Sequence, residues 1–332
     1  VPRKILVMEL AGLGDDVHLL PALWVLREQA RDAQLHVMVS AHVADLFELA
    51  PWVDRVWKYP RVPRRPGVLA NLGWMRALRR ERFDLVINTT GSDRSALLAG
   101  FSGARTRIAR RPPSGGRFWF DRLFDRVIDY PFWQEPMYRQ KLAVFAQAGF
   151  ASSAPPRFEV RIDDAKRRAL GIAAVDDRRY LHLSPCAGHE RKEIPVAQLA
   201  DLCNALREAH PQLRLVVSCA DLPRERARTE ALIAALAQPP WHVFAGSLRI
   251  PELTSVIAGA RLHLCGDSGS LHLALMSATP AVAWLRQHVN LKEWMPQGDR
   301  YRMLIGADDD NERALTGVDN RALIDAANEL IA

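Results

Sequence analysis

Short, continuously apolar runs alternate along the chain with longer stretches whose apolar residues recur at helical spacing. Lys4–Leu10 (KILVMEL) reads as a buried strand, Gly12-Leu13-Gly14-Asp15 as a tight turn, and Val17–Ala30 as a helix. A second strand is predicted at Leu35–Val39, a helix-like segment at Ala41–Ala50 and a third strand at Val53–Tyr59. Asp84–Asn88 predicts a strand ending in the polar turn Thr89-Thr90-Gly91-Ser92, ahead of a helix over Arg94–Leu98. Gly149–Arg157 (GFASSAPPR) has linker composition, and beyond it the alternation restarts. Strands are predicted at Tyr180–Leu183, Leu213–Ser218, Trp241–Phe244, Arg261–Cys265 and Ala281–Leu285. Between them helices are predicted over Pro195–Ala209, Pro223–Leu236, Ile250–Ala258 and Ser270–Met276. Strands alternating with helices imply parallel sheets covered on both faces. The expectation is an α/β protein of two doubly wound, Rossmann-like domains, 1–155 and 156–332, facing each other across a cleft.

Composition narrows the class. With 332 residues, 48% of them hydrophobic and 25% charged, the chain can bury two cores without disulfides or metals. Cys186, Cys203, Cys219 and Cys265 are scattered with no CxxC pair, which excludes a zinc-ribbon or disulfide framework and fits a reducing cytosol. No apolar stretch reaches the ~18 residues of a membrane span. Val1-Pro2-Arg3-Lys4 leads straight into a strand instead of a signal-peptide core, so a cytoplasmic location is expected. The net charge of +7 is unevenly spread: 24 basic against 16 acidic residues over 1–160, and 21 against 22 over 161–332. Such a basic half either attracts a polyanion or serves solubility. No helix-turn-helix or aromatic-interleaved basic motif accompanies it, so nucleic acid is not an expected partner.

Three polar turns follow predicted strands, where open α/β sheets place ligands. The first is Gly12-Leu13-Gly14-Asp15-Asp16. Val17 stands where a dinucleotide fingerprint needs its third glycine, and no acidic residue ends the second strand, which argues against an NAD-linked dehydrogenase. A carboxylate at this helix start serves either as an N-cap or as a general base; Asp15 and Asp16 are the candidates. The second turn is Asp267-Ser268-Gly269-Ser270-Leu271-His272, whose small residues and helix-opening amides suit a phosphate. An ordinary turn capped by Ser268 or Ser270 has the same composition, and His272 alone also fits a satisfied buried histidine. The third is Ser184–Lys192 (SPCAGHERK), a small-residue loop with Lys192 as a point charge for phosphate.

Together these segments resemble glycosyltransferase family 9, the lipopolysaccharide heptosyltransferases. The likeness spans nearly the whole chain through KILVMELAGLGDDVHLLPAL (4–23), FDLVINTTGSDRSALLAG (83–100), LSPCAGHERKEIP (183–195) and AGARLHLCGDSGSLHLA (258–274). The resemblance implies the GT-B arrangement, with an acceptor-binding first domain and a donor-binding second domain. It implies an inverting transfer of heptose from ADP-heptose onto a lipopolysaccharide-core or similar phosphorylated, acidic glycan. No metal or other cofactor is implied, and the anionic glycolipid acceptor implies peripheral contact with the cytoplasmic face of the inner membrane.

Carried over by position, Asp15 becomes the catalytic base and Lys192 the phosphate-binding lysine. Asp267, Ser268, Gly269 and His272 match the donor segment, and the amides around Ser268, Ser270 and Leu271 face the leaving phosphate. Ser184 opens the donor loop, Glu225 is the implied ribose partner and Leu248 the implied adenine contact. Arg61, Arg64, Arg65 and Arg94 are the candidate grips on an anionic acceptor. Glu9, Ala11 and Gly12 depart from the family's Lys-or-Arg and serine pattern, Ile194 replaces its tryptophan, and Asn88-Thr89-Thr90 its D-x-Q. Those departures keep two alternatives open: a non-catalytic nucleotide-sugar binder, and a transferase of the same family with another sugar or acceptor.

Overall fold

A computed structural model describes residues 2–60, 68–113, 115–130, 135–172, 178–307 and 313–332. It divides the chain into two compact units, Val1–Arg161 and Ile162–Ala332.

The first unit runs β1 (Lys4–Glu9), α1 (Leu13–Gln29), β2 (Gln34–Ser40), β3 (Arg55–Tyr59), α2 (Val68–Arg80), β4 (Leu85–Asn88), α3 (Asp93–Phe101), β5 (Thr106–Arg110), β6 (Arg126–Ile128) and α4 (Met137–Gln147). The helix-like segment after β2 is a 3-10 helix, Ala41–Leu49. All strands are parallel, in the order β3-β2-β1-β4-β5-β6. β1 and β2 are buried along almost their whole length, as a sheet covered on both faces requires. Leu6, Met8, Val86, Phe83, Trp57 and Phe120 pack in the core on one side of this sheet. Helix α1 begins four residues earlier than its apolar period suggests, because Gly12 is its N-cap. Asp15 and Asp16 therefore lie inside the first turn.

The second unit runs α5 (Asp164–Ala169), β7 (Tyr180–Ser184), α6 (Val196–Ala209), β8 (Arg214–Cys219), α7 (Pro223–Ala235), β9 (His242–Ala245), α8 (Ile250–Ala258), β10 (Leu262–Gly266), α9 (Gly269–Met276), β11 (Ala281–Arg286), α10 (Leu291–Trp294), β12 (Tyr301–Gly306) and α11 (Asn320–Ile331). Its six parallel strands are ordered β12-β11-β10-β7-β8-β9. Leu181, Leu183, Leu199, Leu264 and Trp284 join Leu323, Ala327 and Ile331 of α11 in its main core. The expected α/β class and doubly wound sheets are thus present in both units. In each sheet the winding reverses at one point, between β1 and β4 and between β7 and β10, and such switch points open a crevice at the strands' carboxyl ends.

Candidate active site

At the first switch point a cavity of about 1030 Å³ is lined by Leu10, Ala11 and Gly12 after β1 and by Thr90, Gly91 and Ser92 after β4. Tyr59, Asp93, Arg94 and Arg117 complete its polar wall. Gly91 takes a φ of +60°, where a side chain would be strained and would press on Pro112. The two loops are tied together, since the Leu10 N–H donates to Thr90 Oγ1 at 2.7 Å. Arg94 lies over the Tyr59 ring, 5.9 Å from its centroid, and Arg117 pairs with Asp93 at 3.6 Å. Arg94 is thus placed at the cavity, whereas Arg61, Arg64 and Arg65 lie outside the described residues.

Asp15 accepts a hydrogen bond from the Gly12 N–H at 3.2 Å, closing the start of α1. Burial, then the negative charge of Glu9, lifts its carboxyl from 3.8 to about 6, with Lys141 and the Gly12 amide pulling the other way. Asp16 behaves differently. It is fully buried, neither carboxyl oxygen has a hydrogen-bond partner, and burial pushes its pKa well above the ordinary range. It caps nothing. Glu9, at the end of β1, is buried in an ion pair with Lys141 of α4 and accepts the Thr89 hydroxyl at 2.7 Å. The acid at position 9 is therefore answered by a base 132 positions later.

At the second switch point a smaller cavity, about 270 Å³, is lined by Ser184, Cys186, Ala187 and Gly188 after β7 and by Ser268, Gly269 and Ser270 after β10. Ser218, Cys219, Ala220, Glu225, Leu248 and Leu253 form the remaining wall. Ser184, Glu225, Leu248, Ser268, Gly269 and Ser270, six of the ten predicted donor residues, meet here. Glu225 accepts the Ala220 N–H at 2.9 Å, which fixes its carboxylate at the rim. Lys192 and Asp267 pair with each other at 2.6 Å and are not part of the lining. Leu271 and His272 do not line it either. Leu271 is fully buried, and its N–H bonds the Ser268 carbonyl at 3.2 Å. His272 packs against Trp294, and burial lowers its pKa to about 4. It is a buried, neutral ring.

The loop between β7 and α6 is held by side chains that the sequence reading passed over. Glu193 is buried, accepts the Ala187 N–H at 2.7 Å, and pairs with Arg224 at 2.8 Å and Arg228 at 3.2 Å. The same arginines donate to loop carbonyls: Arg224 to Ala187 at 2.6 Å, Arg228 to Pro185 at 2.9 Å and to Ile194 at 2.5 Å. Arg224 and Arg228 stand four apart on α7, a spacing that puts both on one helix face, and this was the available signal. Gly266 is tight for a related reason: a Cβ there would meet Trp284 Nε1 at 2.9 Å and the Lys192 carbonyl at 3.0 Å.

A third hollow, about 1050 Å³, lies at the amino ends of β4 and β5 beside Arg3, Asp84 and Arg105. It is roomier than the serine-lined cavity but sits at the wrong end of the strands for the ligands of such sheets. Among the described residues no group of three or more His, Cys, Asp or Glu could hold a metal ion. Among them, too, no helix is long and apolar enough to cross a membrane.

Comparison with known proteins agrees with this layout. The family model for glycosyltransferase family 9 (heptosyltransferase) matches residues 72–314. Lipopolysaccharide heptosyltransferase 3 of Escherichia coli is 22% identical over 337 residues, covering 96% of each protein. A glycosyltransferase family 9 structure from Veillonella parvula shares the fold at a TM-score of 0.84 and 17% identity, over 99% of this chain and 97% of that one. The Escherichia coli heptosyltransferase WaaC, solved with ADP, gives 0.79 at 16% identity, over 98% and 99%. Structures this distant establish the fold, while the family match extends over most of the sequence. The chain belongs to glycosyltransferase family 9, the heptosyltransferases, and is a glycosyltransferase.

Proposed function

We propose that the enzyme transfers heptose from ADP-heptose to a phosphorylated or acidic glycan of the lipopolysaccharide-core type, with inversion at the anomeric carbon. The observation that carries this reading is the gathering of six expected donor residues around one cavity at the second unit's switch point. The solved relative that holds ADP supports an adenine nucleotide as its occupant, and the curated relative's name supports a lipopolysaccharide acceptor. The second unit, Ile162–Ala332 against the expected 156–332, is then the donor domain, and the first, Val1–Arg161 against the expected 1–155, the acceptor domain.

Asp15 takes the acceptor hydroxyl proton as that oxygen attacks the anomeric carbon opposite the diphosphate. A carboxyl with a pKa of about 6 is ionised at neutral pH and still basic enough to accept a proton, which is the balance a general base needs. Lys192, held by Asp267, and the amides opening α9 meet the charge that grows on the leaving diphosphate. Glu225 binds the ribose, and Leu248 lies against the base. Arg94 grips acceptor anions, with Arg61, Arg64 and Arg65 completing the basic side of that domain. The basic excess over 1–160 suits an anionic glycolipid presented at the cytoplasmic face of the inner membrane.

The test is a transfer assay with ADP-heptose, its UDP and GDP counterparts and a panel of core glycolipids, read by mass spectrometry and by the anomeric configuration of the product. One added heptose from the ADP donor, with inverted configuration, is expected. Transfer from a different nucleotide sugar alone, or retention of configuration, refutes the assignment.

A further inference from the structure

Four serines line the cavity of the second unit: Ser184 and Ser218 at the ends of β7 and β8, Ser268 and Ser270 at the start of α9. Two fully buried histidines connect them. His182 and His263 face each other in register on β7 and β10, with their rings stacked at 4.9 Å and their Nδ1 atoms 2.9 Å apart. The outer nitrogens reach opposite sides of the cavity: His182 Nε2 lies 3.0 Å from Ser218 Oγ, and His263 Nε2 lies 3.1 Å from Ser270 Oγ. The chain continues from Ser270 to Ser268 at 2.9 Å and from Ser218 to Ser184 at 3.5 Å.

Burial keeps both imidazoles neutral, lowering His263 to about 3 and His182 well below its ordinary value. A neutral imidazole has one N–H and one bare nitrogen. Two Nδ1 atoms in hydrogen-bond contact need one proton between them, so the rings must hold opposite tautomers. Every hydrogen bond along the chain then points the same way.

We infer that His182 and His263 are positioning residues of the donor site, coupling the hydroxyls on its two sides so that their polarities are set together. The inference rests on the reading of this cavity as the nucleotide-diphosphate site. In one state Ser218 donates to His182, His182 Nδ1–H to His263, His263 Nε2–H to Ser270 and Ser270 to Ser268. The Ser268 hydroxyl is then free to donate to an anion at the start of α9, while Ser218 offers lone pairs to a ligand N–H or O–H on the far side. In the reversed state the Ser268 proton is committed to Ser270, and oxygen lone pairs face the anion. Changing state passes one proton along each link and returns one to each group, so all stay neutral; solvent in the cavity supplies and removes the terminal protons. A bound diphosphate selects the first state and thereby prepares the far side to accept.

Side-chain ¹⁵N NMR of the histidines in the full chain tests this, because bare and protonated ring nitrogens resonate far apart. Ser270→Ala removes the acceptor of His263 Nε2, and a buried N–H without a partner is costly. That variant is expected to hold His263 as the Nδ1–H form and His182 as the Nε2–H form. Ser218→Ala should hold the opposite pair, and ADP added to the parent should give the Ser218→Ala pattern. Identical tautomers in both variants, or an imidazolium form of either ring between pH 5 and 8, overturns the coupling. So does ADP that binds the parent and leaves its rings in the Ser270→Ala pattern. Opposite tautomers in the variants with no ADP binding at all would keep the coupled chain and remove the donor reading.

Discussion

Replacing Asp15 by Asn separates two roles, because they move stability in different directions. Asn keeps an oxygen able to accept the Gly12 N–H and removes only the charge. That charge is held at a cost, since burial and Glu9 raise the carboxyl from 3.8 to about 6 in the folded chain. With a raised pKa, Asp15 costs nothing below about pH 4, where it is protonated folded or unfolded. The cost builds up between about pH 4 and 6 and is constant above. At ~1.4 kcal/mol per pH unit the shift corresponds to about 3 kcal/mol, reduced where solvent reaches the carboxylate. Asp15→Asn is therefore expected to gain about 1–3 kcal/mol in urea unfolding at pH 7.5 and nothing near pH 4. Its transfer rate should fall by roughly 10²–10⁴, the usual worth of a general base. The parent's kcat should decline on the acid side with an apparent pKa of about 6, because only the ionised form accepts the proton. A purely structural Asp15 would lose about 1 kcal/mol or nothing on substitution and leave turnover intact. Near-parental turnover in the folded variant refutes the base assignment, and a loss of stability at neutral pH refutes the electrostatic argument.

Lys192→Ala removes one charge-assisted contact and also releases the negative charge of Asp267. ADP should bind about 10- to 150-fold more weakly and adenosine almost unchanged, as measured by calorimetry. Arg94→Gln should raise the acceptor KM several-fold at low salt with the donor KM unmoved, and the difference should shrink as salt screens the exposed charge. Gly266→Ala drives a methyl group against Trp284 and the Lys192 carbonyl, so thermal unfolding should begin several degrees lower and donor KM should rise; an unchanged KM would show that the loop after β7 does not depend on this approach.

The parallel strands flanking each switch point were legible because burial on both faces turns them into largely apolar runs, as in KILVME and LHLCG. Strands β5, β6 and β12 gave no such signal. Arginines interrupt β5 (TRIAR) and the edge strand β6 (RVI), and the edge strand β12 is only partly buried over most of its length. Helix α11 was readable in principle, with Leu323, Ala327 and Ile331 four apart, but its polar remainder blends into the C-terminal sequence. The polar turns at positions 12–16, 184–192 and 267–272 were visible because small and charged residues cluster there directly after apolar runs. What supports those turns was not visible. Glu9 finds Lys141 and His182 finds His263 only through the fold, since nothing local marks a buried charge or imidazole as having a distant partner.

The clamp of Arg224 and Arg228 on Glu193 divides the second unit's cavity by its freedom to evolve. Both arginines sit on α7 beside Glu225, so a change in that helix disturbs the loop after β7 and the Glu225 carboxylate together. Leu248 and Leu253 carry no such tie through their apolar side chains and can change size one at a time. If the cavity holds the nucleotide as proposed, selection for a different base should accumulate substitutions at Leu248 and Leu253 first, while the clamped loop stays fixed. On the proposed reading of that cavity, drift in nucleotide preference has an inexpensive route, and loss of a diphosphate requirement does not.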